Sequence, residues 1–180
     1  DGDAALRGLT LDLGSGSLVN GDITYDLENE RIAARLEGAL EPRLLGRLWH
    51  RPLPRLLAEI SAGTPPEFSL QLYPSPPRME DWHFSLSVAS RNVQLSGVHV
   101  FDLSCKMDHR PGHTKVRELV LTFDRPGEQK LALRGEYETG RHSIRGQAGG
   151  SIRAVSLLPV LRNYIPPKLW RRASACSFDD

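Results

Sequence analysis

The sequence predicts a mainly β protein of the α+β class: an antiparallel β-meander curled into an open groove, with two short proline-kinked helix pairs. Three observations support this prediction. Apolar and polar residues alternate in several rows, turn-forming residues separate the rows, and two leucine-rich segments are interrupted by proline. Strands joined by short turns form antiparallel hairpins, which is why a meander is expected.

The predicted strands each have one apolar face, because their side chains alternate with period two. The apolar rows are Ile23, Tyr25 and Leu27; Trp82, Phe84, Leu86 and Val88; Phe101, Leu103, Cys105 and Met107; and Leu119, Leu121 and Phe123. Turns are predicted at residues 14–16, 28–30, 110–112, 125–127 and 139–141, which are rich in glycine, proline and asparagine or charged residues.

The predicted helix pairs occupy residues 41–60 and 154–173. In the first, leucines recur at helical spacing on both sides of Pro52 and Pro54. Proline lacks the amide hydrogen that a helix interior requires, so the helix is expected to kink there. The second segment has the same arrangement around Pro166 and Pro167.

The chain contains a weak internal repeat. An offset of 112 positions aligns residues 7–68 with 119–180 without gaps and gives nine identities, among them Tyr25 with Tyr137 and Gly38 with Gly150. Each copy has strands, a glycine and a leucine-rich helix pair in the same order. We therefore expect a first strand–helix unit at 1–66, the end of a preceding repeat, and a second at 67–180, both within one section of a longer repeat protein.

Composition excludes several classes of function. The 180 residues are 39% hydrophobic and 25% charged, which is typical of a globular chain, and the net charge of +1 gives no reason to expect a nucleic-acid partner. No apolar run is long enough to cross a bilayer. Cys105 and Cys176 are expected to be unpaired thiols, although the sequence leaves a disulfide open.

No catalytic or cofactor motif is present, so neither an enzyme nor a cofactor is predicted. Cys105, His109 and His113 have a spacing that suggests a metal site, but the two histidines flank Pro111 and Gly112. A hairpin tip with exposed histidines explains this better, and no metal is expected. Asp12 and Asp124 recur at aligned positions, each before a turn, where an aspartate usually bonds nearby amides.

The leucine, glycine and proline pattern of each unit resembles the AsmA-like envelope proteins. The matching segments are 36–45 (LEGALEPRLL), 54–60 (PRLLAEI) and 65–68 (PPEF), with a looser match at 150–170 and a strand-initiating segment at 92–98 (NVQLSGV). The resemblance implies a repeating β-groove in the periplasm of Gram-negative bacteria. It would be part of an inner-membrane-anchored protein that conducts phospholipid towards the outer membrane or supports outer-membrane assembly. The implied partners are phospholipid or another acyl-chain lipid, neighbouring repeats, and the membrane through regions outside this chain.

The residues themselves offer a physical reason for lipid binding, because the apolar rows outnumber the helices predicted to cover them. The candidate groove lining is Ile23, Tyr25, Leu27, Phe84, Leu86, Val88, Leu119, Leu121 and Phe123. Two alternatives remain open at this point. In the first alternative, the helix pairs and the curvature of the sheet close an ordinary core. In the second, the chain is a cell-surface binding or scaffold module that recognises a protein or glycan through loops near Tyr73 or Trp82.

Overall fold

The computed structural model describes residues 2–41, 60–95, 97–123 and 129–153. These residues form ten strands, and the only helical element among them is a 3-10 turn at Met79–Asp81. The strands are β1 (Asp3–Gly14), β2 (Ser17–Asp26), β3 (Arg31–Ala39), β4 (Ile60–Ala62), β5 (Glu67–Ser75), β6 (Phe84–Leu95), β7 (Val98–Arg110), β8 (His113–Thr122), β9 (Lys130–Glu138) and β10 (Ser143–Ser151).

All ten strands belong to one open antiparallel sheet. Its order is β1-β2-β3-β5-β6-β7-β8-β9-β10, so nine strands form a meander. β4 instead pairs with the C-terminal end of β6. It lies on the same side of β6 as β5, which pairs with the N-terminal half of that strand. The predicted mainly β, antiparallel architecture is therefore confirmed.

The predicted helix pairs lie outside the described residues, apart from the two ends of the first one. Glu41 has no helical conformation, and Ile60 begins β4. Four of the five predicted turns are confirmed as hairpin connections, and the fifth, at 125–127, also lies outside the described residues.

The register gives the sheet two different faces, since paired residues in a ladder point the same way. One row on what we call the apolar face crosses all nine strands of the meander. Its members, in spatial order, are Leu11, Val19, Gly38, Phe68, Val88, Cys105, Leu119, Leu133 and Ala148.

The opposite side, which we call the polar face, has cross-strand ion pairs. Arg91 pairs with Asp102 and Lys106 with Glu118, each at 3.6 Å, while Lys115 pairs with Glu136 at 3.0 Å. The polar face therefore favours contact with water, whereas the apolar face favours a nonpolar environment.

A cluster of buried apolar side chains lies where β4 joins β6. Val93, Leu95, Val100 and Leu121 form a buried cluster, with Val93 and Val100 directly paired. The apolar alternation shifts by one residue just before this point in β6, where Asn92 has a left-handed φ of 53°. Asparagine tolerates this conformation better than most residues. The shift keeps Val93 and Leu95 on the face that also holds Leu121.

The two hairpins related by the 112-residue offset share one register. Tyr25 pairs with Ile32 in β2–β3, and the aligned Tyr137 pairs with Ile144 in β9–β10. Glu30 and His142, which end the two turns and are also aligned, have left-handed φ values of 50° and 46°. The agreement supports an internal repeat.

Two aligned glycines show the same constraint. Gly38 and Gly150 have φ values of 152° and 146°, and a Cβ at either position would lie within 2.0 Å of a carbonyl oxygen on the preceding strand. The preceding hairpins differ, because β1–β2 and β8–β9 are offset by two residues in register. One sheet spans the predicted boundary at residues 66 and 67, and the division into units stays a prediction.

Candidate functional site

The apolar face brings most of the predicted lining residues into neighbouring rows. Ile23, Phe84, Leu86, Val88, Leu119 and Leu121 lie on it in β2, β6 and β8, and Tyr25 lies next to Ile23 along β2. Leu27 is different: it lies in the β2–β3 turn and is 58% exposed. Phe123 follows the end of β8 and packs against the buried cluster.

Most of the apolar face is only partly buried. Among the described residues, seven apolar side chains are buried, and the others in these rows are partly or fully exposed. Leu6 and Ile144, which end one row on β1 and β10, are 61% and 80% exposed. The described strands supply no second sheet to cover these side chains.

Cys105 lies in the middle of the row that crosses all nine strands. It is a free cysteine, and burial raises the pKa of its thiol because a thiolate is poorly solvated among apolar side chains. The adjacent Ser104 points to the polar face. Ser104 and Cys105 therefore lie on opposite faces of β7.

The polar face contains a cleft of about 740 Å³ that sequence reasoning did not identify as one site. Tyr73, expected near a recognition loop, lies in β5 and lines this cleft. We call it the polar cleft; its lining includes Tyr73, His83, Ser85, Asp108, Arg117 and Glu136. These residues come from five strands and the segment before β6, so no short motif identifies them. Alternation places most of them on the polar face, but only the register brings them together.

A hydrogen-bonded network forms the centre of this cleft. Ser85 donates from Oγ to Asp108 Oδ1 at 2.7 Å, and Arg117 donates to both carboxylate oxygens, at 2.7 Å from its terminal nitrogen and also from Nε. Burial pushes the pKa of Asp108 upward, but the hydrogen bonds from Arg117 and Ser85 outweigh it and hold the pKa below its usual value. Arg117 reaches Asp108 because β8 has a register irregularity next to it.

The histidines of the β7–β8 hairpin are half-buried members of strands rather than exposed tips. His109 stacks on Phe84, with ring centroids 5.1 Å apart, and its Nδ1 is 2.8 Å from Thr114 Oγ1. Burial, with smaller contributions from His83 and His113, lowers the pKa of His109. Within the described ranges, no three His, Cys, Asp or Glu side chains are grouped so as to hold a metal ion.

Asp12 has the structural role expected of an aspartate before a turn. Its Oδ1 accepts a hydrogen bond from the Gly14 amide at 2.9 Å. The aligned Asp124 lies outside the described residues. None of the helical conformation in the described part of the chain is long and apolar enough to span a membrane.

Comparisons with known proteins give no relative from which a function can be transferred. No family model matches the chain, and searches of curated proteins and of solved structures found no significant match.

Proposed function

We propose that the chain is a non-enzymatic, AsmA-like periplasmic module whose apolar face binds the acyl chains of phospholipid, passing lipid between the inner and outer membranes or supporting outer-membrane assembly. The observation that supports this proposal is the continuous apolar row from β1 to β10, on a sheet whose apolar side chains are mostly only partly buried. The sequence pattern at 36–45 and 54–68 supports the assignment to the AsmA-like type.

The size of this row suits an acyl chain. Nine strands give eight inter-strand steps of about 4.8 Å, or about 38 Å along the sheet. One leaflet of a bilayer has a hydrocarbon thickness of about 15 Å, so an acyl chain would cover about three or four strands. Covering a fully exposed Leu or Phe side chain is worth about 1.5–3 kcal/mol, and each partly buried side chain of the central strands would gain a fraction of that from a bound hydrocarbon.

The nine predicted lining residues are part of this proposal, with the central strands contributing most. Phe84, Leu86 and Val88 on β6 and Leu119 and Leu121 on β8 flank Met107 and Cys105 on β7. Curvature of the sheet into a groove, neighbouring repeats as partners, and an inner-membrane anchor elsewhere in the protein are proposed on the AsmA-like resemblance.

The alternative, a cell-surface scaffold for protein or glycan, would have an apolar face closed by a second sheet. The described strands form a single sheet, which favours lipid binding over that closed architecture.

Thiol protection tests the proposal directly. In protein carrying Cys176→Ser, alkylation of Cys105 by N-ethylmaleimide is followed with increasing short-chain phosphatidylcholine below its micellar concentration. We expect the rate to fall and then saturate, because acyl chains on the apolar face would cover the thiol. The matched control carries Ser104→Cys and Cys105→Ser as well, and its thiol, on the polar face, should react at the same rate with and without lipid.

A second pair of variants tests the geometry of binding. Leu86→Gln and Ser87→Gln introduce the same side chain at adjacent positions on opposite faces of β6. Loss of about 1 kcal/mol of apolar contact predicts about fivefold weaker lipid binding for the first variant and no change for the second. Equal protection of both thiols, no protection of Cys105, or purified protein that carries no lipid by native mass spectrometry would each contradict the proposal.

A further inference from the structure

The polar cleft lies on the opposite side of the sheet from the proposed lipid site, and nothing about lipid binding requires it. Its volume of about 740 Å³ falls within the range of about 300–1,000 Å³ that small-molecule sites occupy. Its central hydrogen-bonded groups, Ser85, Asp108 and Arg117, stand on three consecutive strands of the sheet, a rigid scaffold.

The charges in the cleft compensate one another. Asp108 accepts two hydrogen bonds from Arg117, and Glu136 lies 3.0 Å from Lys115. Lys115 lowers the pKa of Glu136, so both carboxylates are ionised at neutral pH. Three cations and three anions line the cleft in total, and this balance does not select for an anionic or a cationic ligand.

An aromatic surface forms one side of the cleft. Tyr73 is 39% exposed and lies against His83, with ring centroids 4.5 Å apart and planes inclined by 32°. The phenol oxygen is 3.4 Å from Ser85 Oγ, which connects the ring to the network around Asp108. The partly exposed Tyr73 side chain is therefore linked through its hydroxyl and Ser85 to the Asp108 and Arg117 pair.

From these features we infer that the polar cleft binds a neutral oligosaccharide. A sugar ring has an apolar face of C–H groups that stacks on an aromatic side chain, and its neighbouring hydroxyls donate to carboxylates and accept from guanidinium groups. A phosphate site would need an excess of cations, whereas the cations and anions of this lining are equal in number, and a peptide anchor would need an apolar pocket. The balanced charge and the exposed ring match the sugar best.

The test is a titration of the ¹⁵N-labelled chain with neutral trisaccharides: maltotriose, cellotriose, tri-N-acetylchitotriose and mannotriose. At concentrations up to about 10 mM, at least one should shift amide resonances of residues 83–85, 108–110 and 113–117 in a saturable way. Tyr73→Ala should weaken that binding by about tenfold, because the stacking surface is lost.

Tyr137→Ala is the matched control. Tyr137 is 37% exposed, close to the value for Tyr73, but it lies on the apolar face. Its substitution should leave the affinity within about twofold of the unmodified chain. The inference is overturned if none of the four trisaccharides shifts these amides, if Tyr73→Ala and Tyr137→Ala weaken binding equally, or if inorganic phosphate or an acidic tetrapeptide binds the cleft more tightly than every sugar.

Discussion

Replacement of Gly150 by alanine should destabilise the sheet strongly, whereas the same change at the neighbouring Gly149 should not. A Cβ at Gly150 would lie 2.0 Å from the carbonyl oxygen of Lys130, at least 1.0 Å closer than the 3.0 Å below which real Cβ contacts essentially never fall. A Cβ at Gly149 meets no atom within 4 Å. The two positions are adjacent in β10, so they differ in backbone geometry more than in location.

The expected loss follows from two contributions. A side-chain-bearing residue at a φ of 146° costs about 1–3 kcal/mol. Relieving the contact with Lys130 requires β9 and β10 to separate locally, which loses about two ladder hydrogen bonds of about 0.5–1.5 kcal/mol each. The free energy of unfolding should therefore fall by about 2–6 kcal/mol, while Gly149→Ala should raise it by about 0.5–1 kcal/mol, because alanine loses less backbone entropy in a strand.

Urea denaturation followed by far-UV circular dichroism measures this difference. With a slope of about 1–3 kcal/mol per molar urea, the midpoint for Gly150→Ala should lie at least about 1 M below that for Gly149→Ala. Because β10 is at the end of the described strand order, amide hydrogen exchange of β9 and β10 is measured as well. The geometric reasoning is wrong if both variants share one midpoint and one exchange pattern. Gly38→Ala, at the aligned position in β3, should behave like Gly150→Ala.

Two further predictions concern the core and the polar network. Val100→Ala removes two methyl groups from a side chain with no exposed surface, so it should lower the free energy of unfolding by roughly 1.6 kcal/mol plus a cavity cost. Ile144 is 80% exposed, and Ile144→Ala should change the free energy of unfolding by less than about 0.5 kcal/mol. Equal losses of stability for the two variants in urea denaturation would contradict this burial pattern. The pKa of Asp108 is lower in the folded state than in the unfolded state, so the ionised carboxylate stabilises the fold. This stabilisation is fully present above the unfolded-state pKa of about 4 and is lost as pH falls through the folded-state pKa. The stability difference between the unmodified chain and Asp108→Asn should therefore narrow below about pH 4 in thermal melts, and a difference that is constant from pH 2.5 to 7 would exclude this linkage.

The sequence predicts the strands and hairpins well because each depends on local information. Period-two alternation and turn residues locate β2, β6, β7 and β8. The β7–β8 hairpin forms at residues 111 and 112, where proline and glycine favour a turn. The extent of the rows is less certain at their ends: Leu27 continues the alternation of β2 but lies in a turn, where Asp26 bonds the amides of Glu28 and Asn29.

The candidate sites depend on non-local geometry that the alternation does not contain. The polar cleft requires Tyr73 of β5 and Glu136 of β9 to come to one surface through the intervening register. It also requires the irregularity in β8 that turns Arg117 towards Asp108. Likewise, the left-handed Asn92 shifts the side-chain alternation within β6, and no apolar periodicity predicts such a shift.

The strand order has a consequence for how the chain acquires its structure. Among the described strands, nearly every one pairs with its immediate predecessor, and only the link from β3 to β5 and the pairing of β4 with β6 bypass a neighbour. Closing the loops between such partners costs little conformational entropy. The sheet can therefore assemble one hairpin after another, without first bringing together segments that are distant in sequence. The same connectivity means that a duplicated hairpin could be added to the sheet without changing the path of the remaining backbone.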